Sequence, residues 1–180
     1  VSRKALIDHL RVNALFKDGP YKLRSGAKSD WYLDARLTTL SGDGAPIVGA
    51  AFLDLLDPEV VALGGMTMGA DPIAIAVAMV AHQHHRKINA FSVRKTTKQY
   101  GTGGRLVGPV SAGMAVAIVE DTTTTGGAMV EAAEAAMAAG LRVVQAIALL
   151  DRSGGRAEEA FAMHSIPFEA VLVPKDLGVK

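Results

Sequence analysis

The chain has 180 residues, enough for one domain with a single sizeable core, and its 49% hydrophobic and 21% charged residues strike the balance of a globular protein rather than a disordered one. A formal net charge of +1 supplies no global field toward nucleic acid or an anionic membrane, and the lack of cysteine excludes a disulfide framework, a thiolate metal site and a cysteine nucleophile. Aromatic residues make up only 5%, while small aliphatic residues abound, which favours helices packed on a sheet over a sandwich with aromatic inner faces.

Leu6, Ile7, Leu10, Ala14 and Leu15 recur at helical spacing and predict an amphipathic helix over residues 2–16, ended by Gly19-Pro20. It carries no long apolar centre and no cleavage signature, and no apolar run approaches a membrane span, so the cytoplasm is the expected location. Short strands are predicted at 21–24 and 31–34, joined by the polar turn 25–29. Pro46 opens a helix running to Leu56, placed where its missing N–H does no harm. A repeating pattern then begins. Val60–Leu63 is a strand, Gly64 to Gly69 a glycine-rich turn, and residues 72 to about 85 an apolar helix. Ile88–Val93 is a strand and 94–105 a long polar loop. Met114–Val119 is a continuous apolar strand, and residues 120–127 turn into an alanine-rich helix ending at Gly140. Residues 141–150 form a strand, 155–164 a helix and 168–173 a last strand.

Strands that alternate with helices need crossover connections, so the fold class is α/β, with a central, mainly parallel sheet flanked by helices. Ligands bind such sheets beyond the carboxyl ends of the strands. No repeat or linker divides the chain, and residues 1–180 are expected to form one domain.

The segment richest in chemistry is Ala115-Val-Ala-Ile-Val-Glu-Asp-Thr-Thr-Thr-Thr-Gly-Gly-Ala128. A buried strand delivers Glu120 and Asp121 to the sheet edge. Thr122, Thr123, Thr124 and Thr125 follow, then Gly126, Gly127 and Ala128 at a helix start. N–H groups there, with threonine hydroxyls beside them, make a pocket for a phosphate, and the glycines admit close approach of the backbone. The carboxylates suit the two hydroxyls of a ribose. A helix cap alone needs one such threonine, not four. No Gly-x-x-x-x-Gly-Lys-Ser/Thr or Gly-x-Gly-x-x-Gly motif supports a triphosphatase or dinucleotide reading. Arg94, Lys95, Lys98 and Arg105 form a local basic cluster suited to a small anion.

Residues 115–128 resemble the signature by which type I phosphoribosyltransferases bind PRPP (5-phosphoribosyl-1-pyrophosphate). Three further segments resemble the orotate phosphoribosyltransferases among them: residues 14–36, the loop Arg94 to Gly108, and Leu150-Asp151-Arg152. That resemblance implies a small N-terminal hood, about 1–40, over the base site of a core, about 41–180. It implies transfer of ribose 5-phosphate from PRPP to orotate in pyrimidine synthesis. Glu120 through Ala128 would bind PRPP. Arg24 and Tyr32 would lie against the orotate ring with Leu33 nearby, Thr124 would border phosphate and base, and Arg152 would pair with the orotate carboxylate. Lys98, Arg94, Lys95 and Tyr100 would be the catalytic loop residues, closing over pyrophosphate from the neighbouring subunit of a homodimer. Mg2+ would arrive with PRPP rather than sit in a protein cage. The sequence departs from the commonest bacterial pattern at Arg24, Glu120, Tyr100 and Met68, the last standing where a pyrophosphate-binding Lys is frequent.

His82, His84 and His85 invite a metal reading, but residues two apart on a helix do not face each other, and no cysteine or carboxylate adjoins them in sequence. Trp31 reads as a packing residue at the edge of the base pocket. Two alternatives stay open: a phosphoribosyltransferase for another base, and a PRPP-sensing regulator without turnover. Neither nucleic acid nor membrane is an expected partner.

Overall fold

A computed structural model describes residues 3–22, 26, 28–98 and 104–180, with the backbone alone at Thr97 and Lys98. Its elements in chain order begin with α1 (Arg3–Asn13), β1 (Leu15–Phe16), β2 (Tyr21–Lys22), β3 (Lys28–Ser29), β4 (Tyr32–Leu33), α2 (Arg36–Thr39) and α3 (Gly44–Leu55). There follow β5 (Ala62–Met66), α4 (Ala70–Gln83), β6 (Asn89–Lys98), β7 (Gly104–Val107), β8 (Ala115–Thr123) and α5 (Gly127–Ala138). The chain closes with β9 (Arg142–Asp151), α6 (Arg156–Ala162), β10 (Phe168–Leu172) and a 3₁₀ turn (Pro174–Leu177).

Six strands form the main sheet in the order β10-β9-β8-β5-β6-β7. All neighbours pair in parallel except β6 and β7. The parallel pairs follow from the helical crossovers, and the buried strands are continuous apolar runs because both faces are covered. One core joins α1, α3 and α4 to the sheet through Leu6, Leu10, Phe52, Ile73, Val77, Val119 and Leu149. The opposite core packs α5 and α6 through Met129, Ala133, Phe161, Val116 and Ile118. β5 is flanked by β6 on one side and β8 on the other, so the strand order reverses there. That reversal opens a crevice at the carboxyl ends of β5 and β8, where ligands of open α/β sheets bind.

Four local expectations need correction. The first helix ends at Asn13 rather than 16, because Leu15 and Phe16 pair with Leu33 and Tyr32 as an antiparallel ribbon. Residues 21–22 pair instead with 28–29, so the two predicted strands of this region are not partners of each other. Gly64 and Gly65 are not a turn but the middle of β5. A Cβ on Gly64 would lie 2.0 Å from the Phe91 carbonyl oxygen, and one on Gly65 would lie 2.2 Å from that of Val119, so only glycine fits between the neighbouring strands. Finally, residues 94–98 and 104–107 continue the sheet as a ribbon where a loop was expected, with Ser92 opposite Val107 and Lys98 opposite Gly104.

Candidate active site at the sheet's carboxyl edge

β8 emerges from the core at Glu120. This carboxyl is buried, and its pKa is pushed up to about 8, first by loss of hydration and then by the neighbouring charges of Asp121 and Asp71. Its Oε1 accepts from the Asp121 N–H at 3.2 Å, and Asp121 Oδ1 accepts from Thr122 N–H at 2.6 Å. The turn after β5 lies against both acids: a Cβ on Gly69 would stand 2.4 Å from Glu120 Oε1 and 2.9 Å from Asp121 Oδ1. Asp71, at the start of α4, accepts from Thr67 Oγ1 at 2.6 Å and Ser92 Oγ at 2.5 Å, tying the turn after β5 to the body of β6. Met68 is exposed on that turn. Three carboxylates thus gather at the switch point. Arg36, in the N-terminal segment, pairs with Asp34 through bonds of 2.8 and 3.1 Å and is weakly attracted by Asp121.

The four threonines divide their work. Thr123 is buried and its Oγ1 accepts from the Gly126 N–H at 3.0 Å, while Thr125 Oγ1 accepts from Gly127 N–H at 3.4 Å. The hydroxyl of Thr122 is buried with no partner among the described residues. Thr124 and Thr125 are exposed, as are Gly127 and Ala128 at the helix start. Gly126 caps α5 at φ 80°, and a Cβ there would meet Ala157 Cα at 3.0 Å. Both the left-handed conformation and the approach of α6 demand glycine. Arg156 donates to the Thr124 carbonyl at 2.8 Å and to the Ser153 carbonyl at 2.9 Å, clamping this loop to the turn after β9. Unpaired N–H groups at an α-helix start favour an anion.

On the opposite flank, Arg152 leaves the end of β9, its N–H donating to the Thr123 carbonyl at 2.9 Å. Its guanidinium lies 3.8 Å from the centroid of the Trp31 ring. Burial alone lowers its pKa, and no carboxylate among the described residues pairs with it. Tyr32 is partly exposed, its ring 5.8 Å from that of Tyr21, whereas Leu33 turns into the core. Arg94 and Lys95 sit on the outgoing strand of the ribbon, where Arg105 donates to the Arg94 carbonyl at 2.8 Å and holds Glu131 at 2.5 Å. Lys98 ends β6, its side chain outside the description. Arg24 and Tyr100 lie outside the described residues. His82, His84 and His85 are exposed at the end of α4, away from the strand ends.

Glu120, Asp121, the threonine loop and Arg152 share one edge of the sheet. Sequence reasoning missed Asp71, Arg36 and Arg156, whose contacts with Ser92, Asp121 and Thr124 join residues 21 or more positions apart. It also missed the approach of Arg152 to the face of the Trp31 ring.

A mainly parallel sheet with paired acids and a threonine-rich, glycine-capped helix entrance at its switch point defines a type I phosphoribosyltransferase. No protein-family model matches the chain. The orotate phosphoribosyltransferase of Streptomyces avermitilis is 40% identical over 178 residues, covering 98% of this chain and 97% of that protein. The crystal structure of Mycobacterium tuberculosis orotate phosphoribosyltransferase superposes with a TM-score of 0.87 at 34% identity, over 98% of this chain and 99% of that one. The mycobacterial enzyme solved with PRPP gives a TM-score of 0.81 at 31% identity, over 98% and 99% of the two chains. The chain belongs to the orotate phosphoribosyltransferases.

Proposed function

We propose that the chain transfers ribose 5-phosphate from PRPP to orotate, giving orotidine 5′-phosphate and pyrophosphate in pyrimidine synthesis. The observation that carries this reading is the meeting, at one switch point, of a carboxylate pair, a phosphate-ready helix entrance and a cation without a carboxylate partner among the described residues. The N–H groups and exposed hydroxyls of Thr124 and Thr125, with the entrance of α5, receive the 5-phosphate. Glu120 and Asp121 accept hydrogen bonds from the ribose hydroxyls, and Arg152 takes the orotate carboxylate. Tyr32, with Arg24, flanks the ring.

A ring nitrogen of orotate attacks the anomeric carbon, the bond to pyrophosphate breaks with its electron pair, and the nitrogen's proton is released. Arg94, Lys95 and Lys98 stabilise the charge that develops on pyrophosphate, with Tyr100 in the same segment, and closure of that segment excludes water. Catalysis is then chiefly positioning and electrostatics. Magnesium arriving with PRPP would be held by the pyrophosphate and the ribose hydroxyls, beside the Glu120–Asp121 pair, and would neutralise charge on the pyrophosphate. The working form is a homodimer in which the β6–β7 ribbon serves the neighbouring site, and its place is the cytoplasm. No helix among the described residues is long and apolar enough to cross a membrane. Ile75 and Met79, exposed on α4 beside Ala90, offer an apolar face for a second copy.

The test mixes protein, PRPP, magnesium and orotate and follows orotate's ultraviolet absorbance. Loss that requires every component is expected. Absence of loss with orotate, but turnover of uracil, hypoxanthine or adenine, would move the chain to another base.

A further inference from the structure

Arg152 is a cation in an unusual setting. It is partly buried, its guanidinium N–H groups donate to nothing among the described residues, and the group facing it is the indole of Trp31 at 3.8 Å. Trp31 is itself anchored by two hydrogen bonds and by burial. Its ring is buried in the core shared with Leu33, Leu150 and Leu172. Its Nε1–H donates to the Lys180 carbonyl at 2.7 Å, and its own carbonyl accepts from Ser29 Oγ at 2.7 Å. A side chain that only filled space would need none of these ties to carry a cation on its face.

We propose that Trp31 is a positioning residue for base recognition: its fixed ring face holds the Arg152 guanidinium so that the in-plane N–H edge stays free for the carboxylate of an acidic base. The physical reasoning is geometric. A guanidinium stacked on an aromatic face spends its π surface on the ring and keeps its N–H fork available, which a salt bridge to a protein carboxylate would occupy. Stacking also removes the rotamer freedom of a long side chain before the ligand arrives, so less is lost on binding. A Lys in place of Arg152 would have no planar fork for Trp31 to orient. Trp31 touches the base only through Arg152, which makes the proposal depend on the assignment of Arg152 to the orotate carboxylate.

Steady-state kinetics test both layers. Arg152→Ala should raise the orotate KM strongly with the PRPP KM unchanged; a normal orotate KM would sink the assignment of Arg152 itself. Trp31→Leu should raise the orotate KM about tenfold, with kcat and the PRPP KM within about twofold. Trp31→Phe, which keeps a ring face but not the N–H, should recover most of that loss. In an Arg152→Ala background Trp31→Leu should add less than about twofold, because its effect runs through Arg152. A raised KM in Arg152→Ala beside an unchanged one in Trp31→Leu, or additive losses in the double variant, overturns the positioning role alone. Should Trp31→Leu not fold, the wild type still decides. Trp31 is the chain's single tryptophan, so its emission reports on this stack. With Trp31 excited at the red edge of indole absorption, added orotidine 5′-phosphate should alter emission in the wild type and not in Arg152→Ala. Binding seen by calorimetry with no change in wild-type emission overturns the proposal.

Discussion

Glu120 shows what a single carboxyl costs when it is placed for chemistry. Buried beside Asp121 and near Asp71, it is held well above its usual value of 4.5, at about 8. Between those two pH values the folded chain keeps a proton that the unfolded chain has already released. Stability is therefore expected to fall as pH rises across that window and to level off beyond it. Glu120→Gln imitates the protonated form and should remove this slope. In thermal melts without ligand, the variant should match the wild type near pH 5 and melt roughly 5 °C higher near pH 9. Equal melting temperatures at both ends would mean that Glu120 is ionised without penalty in the fold. The acids and threonines of this site could be read from sequence because they are contiguous. The contacts of Arg152 with Trp31 and of Arg36 with Asp121 could not, because each joins residues far apart in sequence that meet only through the fold.

The entrance to α5 carries the next argument, since two adjacent glycines there have different reasons to exist. Gly126 holds φ 80° and lies against Ala157, whereas Gly127 has an ordinary backbone and only Thr125 Oγ1 near its missing Cβ, at 3.5 Å. Gly126→Ala should therefore destabilise the fold by about 2 kcal/mol and weaken PRPP binding by shifting the threonine loop. Gly127→Ala should leave the melting temperature nearly unchanged. Chemical denaturation of the two variants separates them, and equal losses would show that the local backbone at Gly126 is not the constraint. The same contrast explains where sequence reading of elements stopped. Apolar runs revealed β8, β9 and the helix between them. Glycine was read as punctuation at residues 64–65, yet there it lies inside β5, because neighbouring strands approach too closely for any side chain. The ribbon made by residues 94–98 and 104–107 was invisible for a related reason: polar strands carry no hydrophobic period, and their pairing is decided by a partner strand.

At the scale of the whole molecule, the order of the sheet concentrates the site at one edge but leaves the basic ribbon free to serve either its own site or a neighbour's. β7 is the outermost strand, and Val107 on it is exposed, as are Ile75 and Met79 on α4. Local sequence could place the strands in order of appearance but not tell which edge faces a second copy. A complementation experiment decides. Lys98→Ala removes a ribbon cation but leaves the carboxylates, while Asp121→Asn damages the carboxylates but leaves the ribbon. Each homogeneous variant should be nearly inactive. If the ribbon reaches across a dimer, subunits reassorted from an equal mixture will contain hybrids in which one of two sites is whole, and activity should return to about a quarter of the wild type. If the ribbon closes over its own subunit's site, every site in every hybrid carries one defect, and mixing restores nothing. Sedimentation of the wild type belongs beside this measurement, because failed complementation in a dimer assigns the ribbon to its own subunit, whereas a monomer removes the dimer from the proposal altogether.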